Sequence, residues 1–146
     1  MAYYKILTRS HKGVSIKKYK YTPNKWSTPF IPKPIICNKG YHVATLVGLS
    51  YWLEHGSILY LTETKGKMSG RFHKDKRAFS SIKITRRIPI TTRKVNKLAF
   101  ALTGIKPLFG KYNILAIEKL RELLCWFPLT KEHEEIFLKI MLGEEP

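Results

Sequence analysis

At Pro89 the hydrophobic period of this chain changes from two residues to between three and four. Upstream, Phe79 to Arg87 alternates, with Ile82 and Ile84 facing one side and Lys83, Thr85 and Arg87 the other, the pattern of a half-buried strand. Ser57 to Thr64 reads as a second strong strand, with a turn expected to begin at Lys65-Gly66. Tyr3 to Thr8 predicts the first strand. Val14 to Thr22 predicts another, with a bulge at Lys17-Lys18. Asn38-Lys39-Gly40 reads as a turn into Tyr41-His42-Val43. Between these lie a helix expected from Thr45 to about His55, stopped by Gly56, and an arm over residues 23–34. Pro23, Pro29, Pro32 and Pro34 keep that arm non-regular, because proline donates nothing to a ladder.

Downstream the apolar residues fall on helical faces. Thr92 is expected to cap a helix carrying Val95, Leu98, Ala99 and Leu102. Tyr112 to Phe127 carries Ile114, Leu115, Ile117, Leu120 and Leu124, and Pro128 ends it. Thr130 opens a last helix with Glu132, Glu134 and Glu135 at its positive end, and Ile136, Phe137, Ile140 and Met141 on its apolar face. Strands first and helices after predict an α+β class: a small mixed or antiparallel sheet with one helix between strands, followed by two or three C-terminal helices. At 146 residues the expected organisation is one domain, with a basic α+β core over residues 1–111 and a helical extension over 112–146 packed on it.

Charge separates the same two parts. Residues 1–111 hold 23 Lys and Arg against Glu54, Glu63 and Asp75, a net of +20, whereas residues 112–146 hold four basic and seven acidic residues. A segment so one-sided repels itself unless an anion lies close. Solubility alone needs a net charge of only about 2–8 in a small domain. A polyanion, DNA or RNA bound through its phosphates, is the expected partner. Basic residues interleaved with aromatics, on which bases stack, nominate Lys17, Lys18, Lys20, Tyr21, Lys25, Trp26, Arg71, Lys74, Lys76, Arg77, Arg86 and Arg87 as the contact set. Residues 17–26 and 71–77 are expected to be exposed, since neighbouring charges resist deep burial. No zinc finger or ribonucleoprotein aromatic pair is present, so sequence-specific readout is not indicated.

Other chemistry finds little support. Cys37 and His42 stand five apart with no second pair at ligand spacing, which favours a satisfied histidine and a buried thiol over a metal site. Cys125, beside Trp126 on an apolar helix, reads as a packing residue. Two distant cysteines fit reduced thiols rather than a disulfide framework. The first residues lack the charged-then-apolar run of a signal peptide, and nowhere do 18 apolar residues run together. No metal, cofactor or membrane is therefore expected, and a cytoplasmic setting is.

The stretch Cys37-Asn38-Lys39-Gly40-Tyr41-His42-Val43, followed by Leu49, Trp52-Leu53 and Leu59-Tyr60, resembles a largely uncharacterised family of small bacterial and phage proteins. Tyr4-Lys5-Ile6-Leu7, Asp75-Lys76 and Arg86-Arg87-Ile88 extend the resemblance over residues 3–102. Many members of that family carry a cysteine two residues after the histidine, where this chain has Ala44. The resemblance implies common ancestry and a phage accessory or host-interaction (anti-defence) role in a host cytoplasm, without an established activity. The Gly-Tyr-His strand, helix and Tyr60 strand are also distantly similar to ADP-ribosyltransferase-like folds. That similarity implies a ligand groove at Tyr41, His42 and Tyr60, clamping a nicotinamide cofactor, in an enzyme or its degenerate relative.

The leading expectation is a non-enzymatic, nucleic-acid-associated protein. The transferase-like enzyme is one alternative, and a structural component of a ribonucleoprotein or virion is another. Residues 112–146 either complete the core or present a face centred on Trp126 and Phe137 to a protein partner or second copy.

Overall fold

A computed structural model describes residues 2–13, 19–54, 57–106, 113–127 and 129–143. Four strands, β1 (Tyr4–Leu7), β2 (Tyr41–Ala44), β3 (Ile58–Ser69) and β4 (Lys76–Ile88), pair antiparallel and close into a small barrel in the order β1-β2-β4-β3. A single turn of helix, α1 (Leu49–Trp52), lies between β2 and β3 in sequence. Three helices follow the strands: α2 (Thr92–Thr103), α3 (Asn113–Trp126) and α4 (Lys131–Met141). This is the α+β class with C-terminal helices that the change of period predicts.

Each strand of the ring divides its side chains between two cores. The inner core holds Leu7, Tyr21, Tyr41, Val43, Tyr60, Phe79, Ile82 and Ile84. The outer core joins Tyr4, Ile6, Ala44, Leu59 and Ile88 to the helices, which supply Val95, Leu98, Leu120, Leu124, Phe137 and Met141 among others. Neighbours such as Ile6 and Leu7, or Leu59 and Tyr60, fall in different cores because a strand turns successive side chains to opposite faces. Ile84 and Ile88 would share a face by that rule, yet they serve different cores. Pairing shifts between Tyr60↔Arg87 and Thr62↔Ile84, so β4 carries one extra residue there and its alternation is reversed.

Several local expectations are corrected. The turn expected at Lys65-Gly66 is a bulge inside a longer strand. The ladder runs on to Ser69↔Ala78, with a register shift between Lys65 and Met68. Gly66 sits there at φ +83°, where an added Cβ would come within 2.5 Å of the Ser80 Oγ, so only glycine fits. The helix expected from Thr45 to His55 is only the four residues of α1. Thr45 spends its hydroxyl on the Lys74 carbonyl rather than acting purely as a cap, and a Cβ on Gly48 would overlap the Asp75 carbonyl oxygen. Close backbone packing against the β3–β4 turn therefore replaces the first helical turns. His55 and Gly56 lie outside the described residues, as do residues 14–18 of the predicted second strand. What is described there is a single bridge between Lys12 and Lys20.

The helix caps fall near their predicted places. Thr91, not Thr92, caps α2 by accepting the Lys94 N–H, and Gly104 ends it in the left-handed conformation at φ 73°. Thr130 caps α4 in a reciprocal box with His133, and Glu132 and Glu134 lie in its first turn. Lys94 and Arg86 then donate to the Met141 and Leu142 carbonyls at the other end of α4, fixing it against β4 and α2. Among the described residues no helix is long and apolar enough to cross a membrane.

The proline-rich arm is not regular, but it is docked. The N–H groups of Asn24, Ser27 and Ile31 donate to the Ile84, Ile82 and Ser80 carbonyls at 2.8, 2.8 and 3.0 Å. Ser27 also accepts the Ile82 N–H at 2.9 Å through its hydroxyl, and its carbonyl accepts from the Ser81 hydroxyl. The arm takes over where β2, which pairs with β4 from Lys76 to Phe79, leaves off. The side of β4 away from β3 is thus lined from Lys76 to Ile84, and Arg77 to Ile82 is a continuous buried run.

Candidate functional site

The nominated basic residues are spread over the hairpin turn, the arm and the strands. Arg71 and Lys74 stand exposed on the turn joining β3 to β4, flanking Phe72, which is 94% exposed, and His73. Lys25 on the arm and Lys65 and Lys67 on β3 are exposed as well. Trp26 bridges these elements. Its ring is half-buried between the ammonium groups of Lys65 and Lys83, at 5.3 and 5.0 Å from the centroid. Lys83 also pairs with Glu63 at 3.0 Å. Arg87 and Lys20 are exposed further along the ring, and Arg86, also exposed, is held to α4. Lys17 and Lys18 lie outside the described residues.

Two nominated residues are not surface contacts. Arg77 is buried; its guanidinium donates to the His73 carbonyl and, at 2.7 Å, to that of Lys76. It holds the turn that displays Phe72. Tyr21 is also buried, because its ring packs edge-on against Tyr19 and Tyr41. Neighbouring lysines do not expose a residue whose own side chain turns inward. The thiol expectations fail in the opposite sense: Cys37 and Cys125 are both exposed. Trp126 and Phe137 do not share a face. Trp126 is 81% exposed, but Phe137 is buried edge-on against Tyr4 in the outer core.

Tyr41 and His42 do border a concavity, and its main cation is a residue that sequence reasoning missed. A pocket of about 330 Å³ opens between β1 and β2, lined by Tyr19, Tyr21, Tyr41, Trp52, Lys5, His42 and Lys76 among others. It exists because the partnered residues of β1 and β2 are Tyr4 and Ala44 alone. Beyond that pair the His42 carbonyl accepts from the Lys5 ammonium at 2.5 Å instead of from a strand N–H. Lys5 lies 4.9 Å from the centroid of the Tyr21 ring, and burial pulls its pKa down to about 8. The available signal is a lysine inside a strand whose other members, Tyr4, Ile6 and Leu7, are all apolar.

The remaining polar groups of the pocket are fixed in place. His42 Nε2 accepts the Cys37 N–H at 2.8 Å, so that nitrogen is unprotonated. Burial, then the Lys5 charge, hold its pKa below the usual histidine value, with Lys76 adding to them against a backbone hydrogen bond at Gly40. The Tyr41 hydroxyl donates to the Pro29 carbonyl at 2.7 Å. Burial, followed by the neighbouring Tyr19, pushes the pKa of both Tyr41 and Tyr21 up, keeping these rings neutral. Lys76 contacts the Cys37 thiol at the rim, an interaction that raises its pKa.

Tyr60, the third member of the expected groove, is elsewhere. It is buried in the inner core with its hydroxyl 3.2 Å from His11 Nε2, and it does not line the pocket. Among the described lining residues there is no carboxylate.

Compared with protein-family models, curated proteins and solved structures, this chain finds no match. Its chemistry is read from the two surfaces themselves. Among the described residues no group of three or more His, Cys, Asp and Glu is placed to hold a metal ion.

Proposed function

We propose that this protein binds nucleic acid without enzymatic turnover, through phosphate contacts made by the β3–β4 hairpin and the adjoining arm. The observation that carries this reading is the hairpin tip. A phenylalanine 94% exposed, flanked in the turn by Arg71 and Lys74 and with the buried Arg77 bonded to the turn's His73 carbonyl, offers a stacking face beside two exposed cations. Lys25, Lys65 and Lys67 continue the positive surface away from the tip. Residues 65–111 contain 14 basic residues and only Asp75 as an acid, a net charge of +13 that favours an anionic partner. A phage accessory role on host machinery is proposed on the family resemblance alone. The transferase-like alternative draws no support from a pocket lined by no described carboxylate and lacking Tyr60.

The test is affinity for short single-stranded and duplex DNA and RNA between about 50 and 200 mM salt, where phosphate-dominated binding falls steeply. Replacing Arg71 and Lys74 together by alanine is expected to lower the log–log salt slope by roughly 1.4 to 1.8, at about 0.7–0.9 for each phosphate no longer neutralised. Phe72→Ala is expected to weaken single-strand binding by about 1–3 kcal/mol while sparing duplex. Binding that is absent, or flat with salt, refutes the reading.

A further inference from the structure

We propose that the pocket between β1 and β2 binds a planar aromatic ring that carries an anionic group, the chemistry of a mononucleotide, with the anion held by Lys5. This is separate from the hairpin surface: a free mononucleotide would occupy the pocket whether or not a polymer binds outside.

The walls argue for a ring. Tyr19 stands at the junction of three tyrosines, 4.7 Å from Tyr21 and 5.3 Å from Tyr41 between centroids, and Trp52 borders the same opening. Aromatic faces reward a flat π-system and do little for a small hydrated ion. A volume of about 330 Å³ is at the lower end of what small-molecule sites offer.

The cations argue for an anion. An ammonium has three donors, and the Lys5 hydrogen bond to the His42 carbonyl uses one. Its remaining neighbours are the Tyr21 ring, a neutral His42 and, at the rim, Lys76. No described lining residue is acidic, and Lys5, unlike Lys76 with Asp75 beside it, draws no carboxylate near. A buried cation without a counter-ion costs stability, and such costs cluster where a ligand completes the site. An anion entering beside Lys5 would supply its missing counter-charge, with Lys76 adding a second cation at the rim. Lys76 is the first residue of β4 and directly follows the 71–75 turn, so a strand end running along the hairpin could also reach the opening.

Isothermal titration of the full chain with AMP, GMP, CMP and UMP tests the proposal, with adenosine and inorganic phosphate as the separated halves. Saturable binding of at least one mononucleotide is expected, weakened about tenfold or more for either half and by a similar factor in Lys5→Met and in Tyr19→Leu. Arg71→Ala should leave mononucleotide binding unchanged while weakening polymer binding, which separates this site from the hairpin. Lys5→Met removes a buried charge, so its loss of binding cannot be ascribed to unfolding; its melting temperature checks this. A 5′-phosphorylated oligonucleotide that competes with AMP, where its 5′-hydroxyl twin does not, would assign the site to strand ends. Equal behaviour of the two with AMP binding intact would assign it to free nucleotides. No saturable mononucleotide binding, or binding untouched by both Lys5→Met and Tyr19→Leu, overturns the proposal.

Discussion

Lys5→Met is expected to make the protein more stable at neutral pH. Burial lowers the Lys5 pKa from 10.5 to about 8, and at 1.36 kcal/mol per unit that difference corresponds to roughly 3 kcal/mol of strain borne by the charged form. The side chain as a whole retains some solvent exposure, which makes this an upper figure. Methionine has a similar length and no charge, but it leaves the His42 carbonyl without its donor, a loss of about 1 kcal/mol. The net gain is therefore about 2 kcal/mol or somewhat less near pH 7. Its pH dependence has a definite sign. Between about 8 and 10.5 the unfolded chain still holds the Lys5 proton that the native state has released. Stability of the unsubstituted protein then rises with pH, and the advantage of the variant shrinks. Buried Tyr4 and Tyr21, whose pKa values are raised, act in the opposite direction toward high pH but cancel in the difference between the two proteins. His42, whose pKa Lys5 helps to lower, enters only below its ordinary value of 6.5. Urea denaturation of both proteins from pH 7 to 9.5 measures the difference. A variant less stable at pH 7, or a gap that stays constant across that range, refutes the account of Lys5.

Two further outcomes follow from packing. Gly66→Ala must place a Cβ at 2.5 Å from the Ser80 Oγ while holding φ at +83°, so a loss of roughly 2–4 kcal/mol is expected by thermal or urea unfolding. Truncation after Lys106 removes Ala116, Ile117, Leu120, Leu123, Leu124, Phe137 and Met141 from the outer core. At about 1.5–3 kcal/mol for each of the six larger side chains the loss is about 9–18 kcal/mol, as large as the usual 5–15 kcal/mol of a domain, so circular dichroism should show an unfolded fragment. A truncated chain that melts cooperatively would show instead that the barrel stands alone.

The parts legible in the sequence are those where one period governs a whole element. Ile82 and Ile84 mark β4, and Val95, Leu98 and Ala99 mark α2, because alternate or helical spacing decides burial without long-range help. Where tertiary contacts override the local signal, the reading fails. Gly66 looks like a turn until β4 is beside it, and then it is a bulge. Thr45 does accept the Gly48 N–H at 3.3 Å, but its hydroxyl also donates to the Lys74 carbonyl and the helix it precedes is only four residues long. The exposed hairpin residues Arg71 and Lys74 are legible from composition, whereas Tyr21 and Arg77, similar in surroundings, turn inward for reasons of ring packing and turn closure. Lys5 escapes notice because a lone lysine in an apolar strand carries no spacing by which to single it out. Its meaning comes from β1 and β2 parting after a single pair, and no periodicity reports that.

The docked arm has a consequence for how these molecules treat one another. A strand with one unpaired side is a template on which a second chain can add, and β4 past Phe79 would be such a template. Asn24, Ser27 and Ile31 occupy its Ile84, Ile82 and Ser80 carbonyls. The arm does not in turn create a clean new edge, because Pro23, Pro29, Pro32 and Pro34 interrupt its row of donors. The prolines thus end the sheet as well as shaping the arm, and they protect the chain from edge-to-edge polymerisation wherever many copies come close together.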